Sequence, residues 1–220
     1  MTCPAPTATI MELADDQPAR LLHAIMAERR SIRRLQPGPF SVATRDRLLE
    51  AVRSTPAAYN LPPWRVVLVQ ERRAALWTEI ARGFREHLDG DRLARYLERL
   101  QGFASGVAVA LIFEDRAVER ELREERGAEA EVAYSFVHQA LGMVQLALWL
   151  AITAEGLVTS LQHWDHLVGP RLAHFAGLPA ERFRLVAIMP IGYADEAPRL
   201  VERAAEISSV DPAPAPANGR

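Results

Sequence analysis

The apolar positions along this chain follow helical spacing in some stretches and form short continuous runs in others. Apolar residues that recur at i, i+3, i+4 and i+7 predict amphipathic helices, and continuous apolar runs predict buried strands. Helices are predicted from residue 18 to the arginine-rich residues 28–34, after Ser41, and over residues 74–88, 93–100, 134–155 and 167–175. Strands are predicted over residues 65–69, 107–113, 157–161 and 184–191. Because helices and strands do not alternate regularly, we expect an α+β fold.

Two of these helices carry more specific expectations. Ser41 has the side chain of a good N-cap for the second helix. The apolar face of that helix is predicted to contain Val42, Leu48, Leu49 and Val52. Residues 134–155 are apolar around almost the whole helix circumference, and such a helix is buried in a core or against a second subunit. The most apolar run, residues 146–152, is much shorter than the ~20 residues of a membrane helix, so no membrane partner is expected.

The composition indicates one domain in a reducing compartment. Of the 220 residues, 49% are hydrophobic, which is enough to fill one core. We expect this domain over residues 18–207, after a loose arm at residues 1–17 and before a disordered Pro/Ala tail at residues 208–220. Cys3 is the only cysteine, so an intrachain disulfide and a cysteine-rich metal site are both excluded. A cytoplasmic protein is the expected result, without a secretory signal sequence.

The charge balance excludes some functions. A formal net charge of -2 argues against a dedicated nucleic-acid binder, which normally has a widespread basic surface. All 26 basic residues are arginines, so Schiff-base lysine chemistry is impossible. His163 and His166 flank Asp165, but no further histidine or cysteine lies at a matching spacing, so no metal site is expected. The chain also lacks the glycine-rich loops of Rossmann and Walker sites and the motifs of zincins and α/β-hydrolases.

An arginine cluster at residues 28–34 is the first candidate site. Four guanidinium groups and the Ser31 hydroxyl fall within seven residues, an arrangement that suits a phosphate group. A solvated helix face is the alternative explanation for such a charge run.

Three separated segments, at residues 29–33, 56–64 and 156–165, resemble motifs of one family, the FMN-dependent nitroreductases. Residues 29–33, Arg-Arg-Ser-Ile-Arg, are similar to the basic motif around a serine that opens this family. Residues 56–64 are similar to its P-S-S-x-N-x-Q-P-W loop, with Pro56, Asn60, Pro63 and Trp64 in place. Residues 156–165, GLVTSLQHWD, resemble the G-L-G-A-S-L-Q-H-Y-N segment of the branch that contains the yeast fatty-acid-repression and homologous-to-nitroreductase proteins.

The resemblance implies a homodimer with a mixed sheet flanked by helices and two FMN sites in the dimer interface. The helix over residues 134–155 would then be the central interface helix. By the same resemblance, Arg29, Arg30 and Ser31 would contact the phosphate and ribityl groups of FMN. Arg33 would be the cation near the flavin pyrimidine, and Asn60 would contact the pyrimidine edge. The backbone of Leu161, Gln162 and His163 would lie beside flavin N5, and Gln139, Arg199 and Arg203 would complete the site.

The implied activity is that of an NAD(P)H oxidoreductase. Two electrons would pass by a ping-pong route from NADH or NADPH to a nitroaromatic, quinone or similar electron-poor small molecule. The chain departs from the family loop at Ala57, Ala58 and Pro62, which replace two serines and a glutamine. A flavin-sequestering regulatory protein with little turnover is therefore the alternative, and a nucleic-acid module is a third hypothesis. No catalytic side chain is identified, because the flavin carries the chemistry.

Overall fold

The computed structural model describes residues 17–199, in which helices cover both faces of one sheet. The helices are α1 (Gln17–Glu28), α2 (Val42–Arg53), α3 (Arg73–His87), α4 (Gly90–Ala104), α5 (Arg116–Glu124), α6 (Ala130–Ala154) and α7 (Asp165–Phe175). The strands are β1 (Leu35–Gln36), β2 (Trp64–Val69), β3 (Ala108–Asp115), β4 (Val158–Thr159) and β5 (Phe183–Ala194). The predicted α+β class is confirmed. Most of the proposed arm and all of the proposed tail lie outside the described residues.

The sheet is built around the antiparallel pair of β3 and β5. The strand order is β1-β5-β3-β2, and all these pairs are antiparallel. A β-bulge lies between β3 and β5, where Ile112 pairs with Ala187 but Phe113 pairs with Leu185. The free edge of β5 carries three short segments in turn, namely β1, β4 and Gln162. Segments far apart in sequence therefore meet along one edge of β5.

Side chains of β3 alternate between two hydrophobic layers, as the strand period of two requires. Val109, Leu111 and Phe113 pack with α3, α4 and α7. Ala108, Ala110 and Ile112 pack with α2 and α6. Seven of the eight β3 residues are buried, which confirms the prediction of a central strand.

The predicted long apolar helix is present, although it begins four residues earlier than predicted, at Ala130, and it has two kinds of surface. Within α6, Val144, Leu148 and Ile152 are buried against the sheet. Tyr134, Met143 and Leu146 are at least 40% exposed in the single chain. Among residues 17–199, α6 is the one helix long and apolar enough to cross a membrane. The sequence prediction considered only the apolar run at residues 146–152 and therefore underestimated the length of the apolar helix. One side of α6 packs on the sheet, and 33% of its most apolar 18-residue window is buried in this chain.

Two local predictions had different outcomes. Ser41 is the N-cap of α2, and its hydroxyl accepts a hydrogen bond from the Thr44 N–H. Val42 was wrongly assigned to the apolar face, since it is 63% exposed while Leu48 and Val52 are buried. Val42 instead lines an open cleft beside residues 67–69 of β2. Strand β1 was not predicted.

Candidate functional site

The first two arginines of the cluster are held at the end of α1. The Arg29 guanidinium lies 4.4 Å from the centroid of the Trp149 ring, in a cation–π contact with α6. One guanidinium nitrogen of Arg30 donates to the carbonyls of Ala27, at 2.6 Å, and Arg29, at 3.0 Å. Arg30 therefore caps the C-terminus of α1. Because both guanidinium groups make these contacts, Arg29 and Arg30 are not simply part of a solvated helix face.

The chain then continues alongside the segment around β4. Ser31 forms a parallel bridge with Thr159, and the Ile32 N–H donates to the Thr159 carbonyl at 3.2 Å. Thr159 is completely buried, and its hydroxyl has no hydrogen-bond partner. A buried hydroxyl without a partner is costly unless another molecule supplies one. The first and third motifs of the sequence thus lie side by side.

In the segment after β4, residues 161–163, some backbone N–H groups point away from the sheet. The N–H and carbonyl of Gln162 both bond to Ile188 of β5, each at 2.9 Å. The Gln162 side chain is buried and donates to the Ser160 hydroxyl at 3.0 Å. Because successive residues of an extended segment point their N–H groups to opposite sides, those of Leu161 and His163 face away from β5. The backbone of Gln162 itself is already engaged in the sheet, and the His163 side chain is exposed.

Asn60 and Gln139 form a separate group. Tyr59 and Asn60 have positive φ angles, 54° and 55°, which are unusual outside glycine and cluster at functional sites. The Tyr59 ring packs edge-on against Phe136 in α6, at 6.3 Å between centroids. Gln139 is on the same end of α6 and donates to Ser135.

The two groups are far apart within one chain. Asn60 and Gln139 lie near Phe136, whereas Arg29 lies on Trp149, more than three turns further along α6. At the rise of an α-helix this separation is about 20 Å. A single chain therefore does not bring all the predicted residues into one pocket.

Arg33 lies in a cleft with residues of α4. Its N–H and that of Arg34 donate to one oxygen of the Glu196 carboxylate, at 2.5 and 3.2 Å. The cleft has a volume of about 560 Å³ and contains four arginines, Arg33, Arg34, Arg95 and Arg99. Its other lining residues include Glu98, Gly102 and Asp195. Arg199 is exposed in the last described stretch, and Arg203 lies outside the described residues.

Two other clefts each contain an arginine that pairs with a glutamate. A cleft of about 750 Å³ between α3 and α7 contains Arg171, which pairs with both Glu79 and Glu86. A cleft of about 430 Å³ between α5 and α6 contains Arg184, which pairs with the buried Glu114 at 2.7 Å. Arg184 also contacts His138. The imidazole nitrogen must accept this hydrogen bond, because a guanidinium group only donates.

Sequence reasoning missed several residues of these sites. Trp149 and Thr159 were not among the predicted site residues, and only the fold shows their contacts with Arg29 and Ser31. Arg95 and Arg99 had a detectable signal, because a spacing of four residues places both on one face of a helix.

Comparisons with known proteins relate the sequence of this chain to one family. A sequence model of the nitroreductase family, described as "Nitroreductase family", matches residues 26–193. The Saccharomyces cerevisiae protein "Putative nitroreductase HBN1" is 28% identical over 145 residues, which cover 64% of this chain and 72% of that protein. This match agrees with the predicted branch.

Solved structures have the same fold at low sequence identity. The nitroreductase CinD from Lactococcus lactis in complex with chloramphenicol superposes with a TM-score of 0.73 at 24% identity, over 83% of this chain and 94% of that chain. A nitroreductase with bound FMN from Desulfitobacterium hafniense DCB-2 superposes with a TM-score of 0.66 at 19% identity, over 87% and 98% of the two chains. The resemblance that rested on three motifs is confirmed, and the chain belongs to the nitroreductase family.

Proposed function

We propose that this protein is an FMN-dependent NAD(P)H oxidoreductase that works as a cytoplasmic homodimer on nitroaromatic, quinone or similar electron-poor acceptors. The observation that carries the proposal is the contact of Ser31 with Thr159, next to the Trp149-anchored Arg29. Family membership and the bound FMN of a structural neighbour support the same cofactor.

The residues around this contact fit FMN. Arg29, Arg30 and Ser31 offer charged and hydroxyl donors for a phosphate, as they do in the resemblance. The unpartnered Thr159 hydroxyl offers a further polar contact that a bound ligand would satisfy. The outward N–H groups of Leu161 and His163 are donors for a flavin ring. When bound, FMN supplies two-electron hydride chemistry, while the protein binds and orients it.

A second copy of the chain supplies the missing part of the site. No residue of α1 is buried within its own chain, and Leu21, Leu22 and Met26 are each about half exposed. These residues and the exposed apolar side chains of α6 form a surface suited to association. Across such an interface, Asn60 and Gln139 of one copy would complete the site that contains Arg29 and Ser31 of the other copy.

The class of electron acceptor is inferred from the loop before Asn60 and from the ligands of a structural neighbour. Ala57 and Ala58 leave the loop before Asn60 without the serine hydroxyls of the family pattern, so acceptors would bind mainly through apolar and aromatic contacts. CinD structures in complex with chloramphenicol and 4-nitrophenol support nitroaromatic ligands as a class. Donor and acceptor would occupy the same space in turn, which gives ping-pong kinetics.

The test is an anaerobic absorption spectrum of the purified protein with FMN, recorded before and after addition of NADPH or NADH. We expect a flavin spectrum that is bleached rapidly and restored by a nitroaromatic or quinone. Protein that does not take up FMN would contradict the proposal. Bound FMN that bleaches only slowly, with no acceptor turnover, would support flavin sequestration instead, the alternative that the altered loop favours.

The shared site has its own test in mixed dimers. We expect Arg29→Ala and Asn60→Ala homodimers each to bind FMN weakly. A heterodimer of the two variants would regain one complete site, since its Arg29 and Asn60 come from different chains. If the heterodimer binds no more FMN than either homodimer, the site is not shared between chains.

A further inference from the structure

The cleft between α4 and the Arg33–Arg34 backbone has a net positive lining. Its four guanidinium groups, from Arg33, Arg34, Arg95 and Arg99, form no ion pair with any residue in the range 17–199. Arg171 and Arg184 of the other two clefts pair with glutamates at 2.6 to 2.9 Å. Among the described residues, Arg116, Arg120 and Arg123 of the cleft between α5 and α6 form no ion pair. The four guanidinium groups of the α4 cleft are therefore available to a ligand.

The available charge matches a phosphate monoester. The cleft lining contains two carboxylates, Glu98 and Asp195, against the four arginines, which leaves two positive charges. A third carboxylate, Glu196, is nearby, but main-chain N–H groups hold it rather than a guanidinium. A phosphate monoester carries about -1.5 to -2 charges at pH 7, and arginine forks bind its oxygens in pairs.

Close packing gives the cleft its shape. A Cβ added to Gly102 would lie 2.5 Å from the Arg33 carbonyl oxygen, so only glycine allows α4 to approach the Arg33–Arg34 backbone this closely. This approach brings the arginines of α4 opposite those that follow Ser31. The cleft, at about 560 Å³, is in the size range of small-ligand pockets.

We propose that this cleft binds the adenosine 2′-phosphate of NADPH and makes the protein select NADPH over NADH. The inference rests on the proposed function, because it names the electron donor used at the neighbouring flavin site. NADH lacks the 2′-phosphate, so it would leave the guanidinium groups of Arg95 and Arg99 without their anion.

The test compares two variants of α4 in the FMN-loaded protein. Arg95→Gln/Arg99→Gln removes two cleft arginines, and Arg92→Gln removes an exposed arginine on the same helix that does not line the cleft. For the double variant we expect KM for NADPH to rise about tenfold or more, because each lost charged contact weakens binding. Its KM for NADH, kcat and FMN content should stay within about twofold, and Arg92→Gln should match the wild type on all four measures.

A binding measurement separates this inference from the flavin proposal. Titration calorimetry with 2′-AMP and 5′-AMP requires no electron transfer, so it gives a result even if the protein does not use FMN. We expect 2′-AMP to bind more tightly than 5′-AMP, with the preference lost in Arg95→Gln/Arg99→Gln. Equal binding of the two nucleotides, or equal losses for NADPH and NADH in the double variant, would overturn the inference.

Discussion

The guanidinium of Arg47 donates two hydrogen bonds to the carboxylate of Glu155, at 2.5 and 2.6 Å. Arg47 is in the middle of α2, and Glu155 follows the last residue of α6. The pair fixes the end of α6 just before the segment that contains Thr159. The hydrogen bond from Arg47 holds the pKa of Glu155 below its ordinary value of 4.5, against the opposing effect of burial.

A Glu155→Gln variant should lose stability in a pH-dependent way. A carboxyl whose pKa is lowered in the folded state stabilises the fold above its unfolded pKa, and this stabilisation is lost as the pH falls through the folded pKa. We therefore expect the variant to be less stable than the wild type at pH 7 and the difference to shrink below pH 4.5. Urea unfolding across this pH range measures the difference in the free energy of unfolding between the variant and the wild type.

The matched control is Glu50→Gln, which breaks the pair between Glu50 and Arg53 on α2, where both side chains are 64% exposed. This variant should change stability little at any pH, since exposed pairs contribute little. A Glu155→Gln difference that stays constant from pH 7 to the acid range would show that the Arg47 contact is not its cause.

Arg29→Ala should weaken FMN binding, whereas Arg34→Ala should not. Arg29 is fixed on Trp149 beside Ser31, while Arg34 lies in the α4 cleft. Loss of one charged contact to the phosphate corresponds to about tenfold or more in Kd. Fluorescence titration with FMN measures both variants, and equal losses would mean that the arginines do not divide between two sites.

Met143→Glu should dissociate the proposed dimer and reduce FMN binding with it. Met143 is 40% exposed on the apolar face of α6, where a carboxylate would be desolvated on association. Sedimentation velocity should show monomers of the variant at concentrations where the wild type is dimeric. Val42→Glu, at an exposed apolar position in α2, is the control and should remain dimeric. A dimeric Met143→Glu variant would place the interface on another surface.

Arg184→Met should destabilise the fold by about 3 kcal/mol, since it leaves a buried carboxylate unpaired. Glu114 is only 3% exposed and loses its partner in this variant. The double variant Glu114→Gln/Arg184→Met should recover much of the loss, because it removes the charge as well. Chemical denaturation of both variants measures this, and equal destabilisation would show that packing rather than charge is responsible.

The sequence predicted most elements because each has its own local pattern. The periodic stripes of α3, α4 and α6 and the continuous apolar run of β3 are properties of neighbouring residues. Strand β1 has only two residues, and it forms because Leu35 pairs with Ala194 of β5. A local pattern cannot indicate such a partner, which is distant in the chain.

The candidate site was predictable in its parts but not in its arrangement. The motifs identified Arg29, Ser31 and Gln162, and the structure places Ser31 and Gln162 on the β4–β5 edge. That Asn60 lies at the other end of α6 depends on how the loop packs on Phe136, which no motif spacing records. The orientation of Arg33 toward α4 depends on the close approach at Gly102, another contact between distant residues.

If the proposed dimer forms through α1, the absence of buried residues in this helix would link cofactor affinity to protein concentration. Its half-exposed leucines would gain a partner from the second copy, and Arg29 directly follows this helix. Under the proposed dimer, dilution that separates the copies would also loosen the support of that arginine. By mass action, FMN in excess would in turn hold the copies together, so the cofactor would act as an assembly factor for its own enzyme.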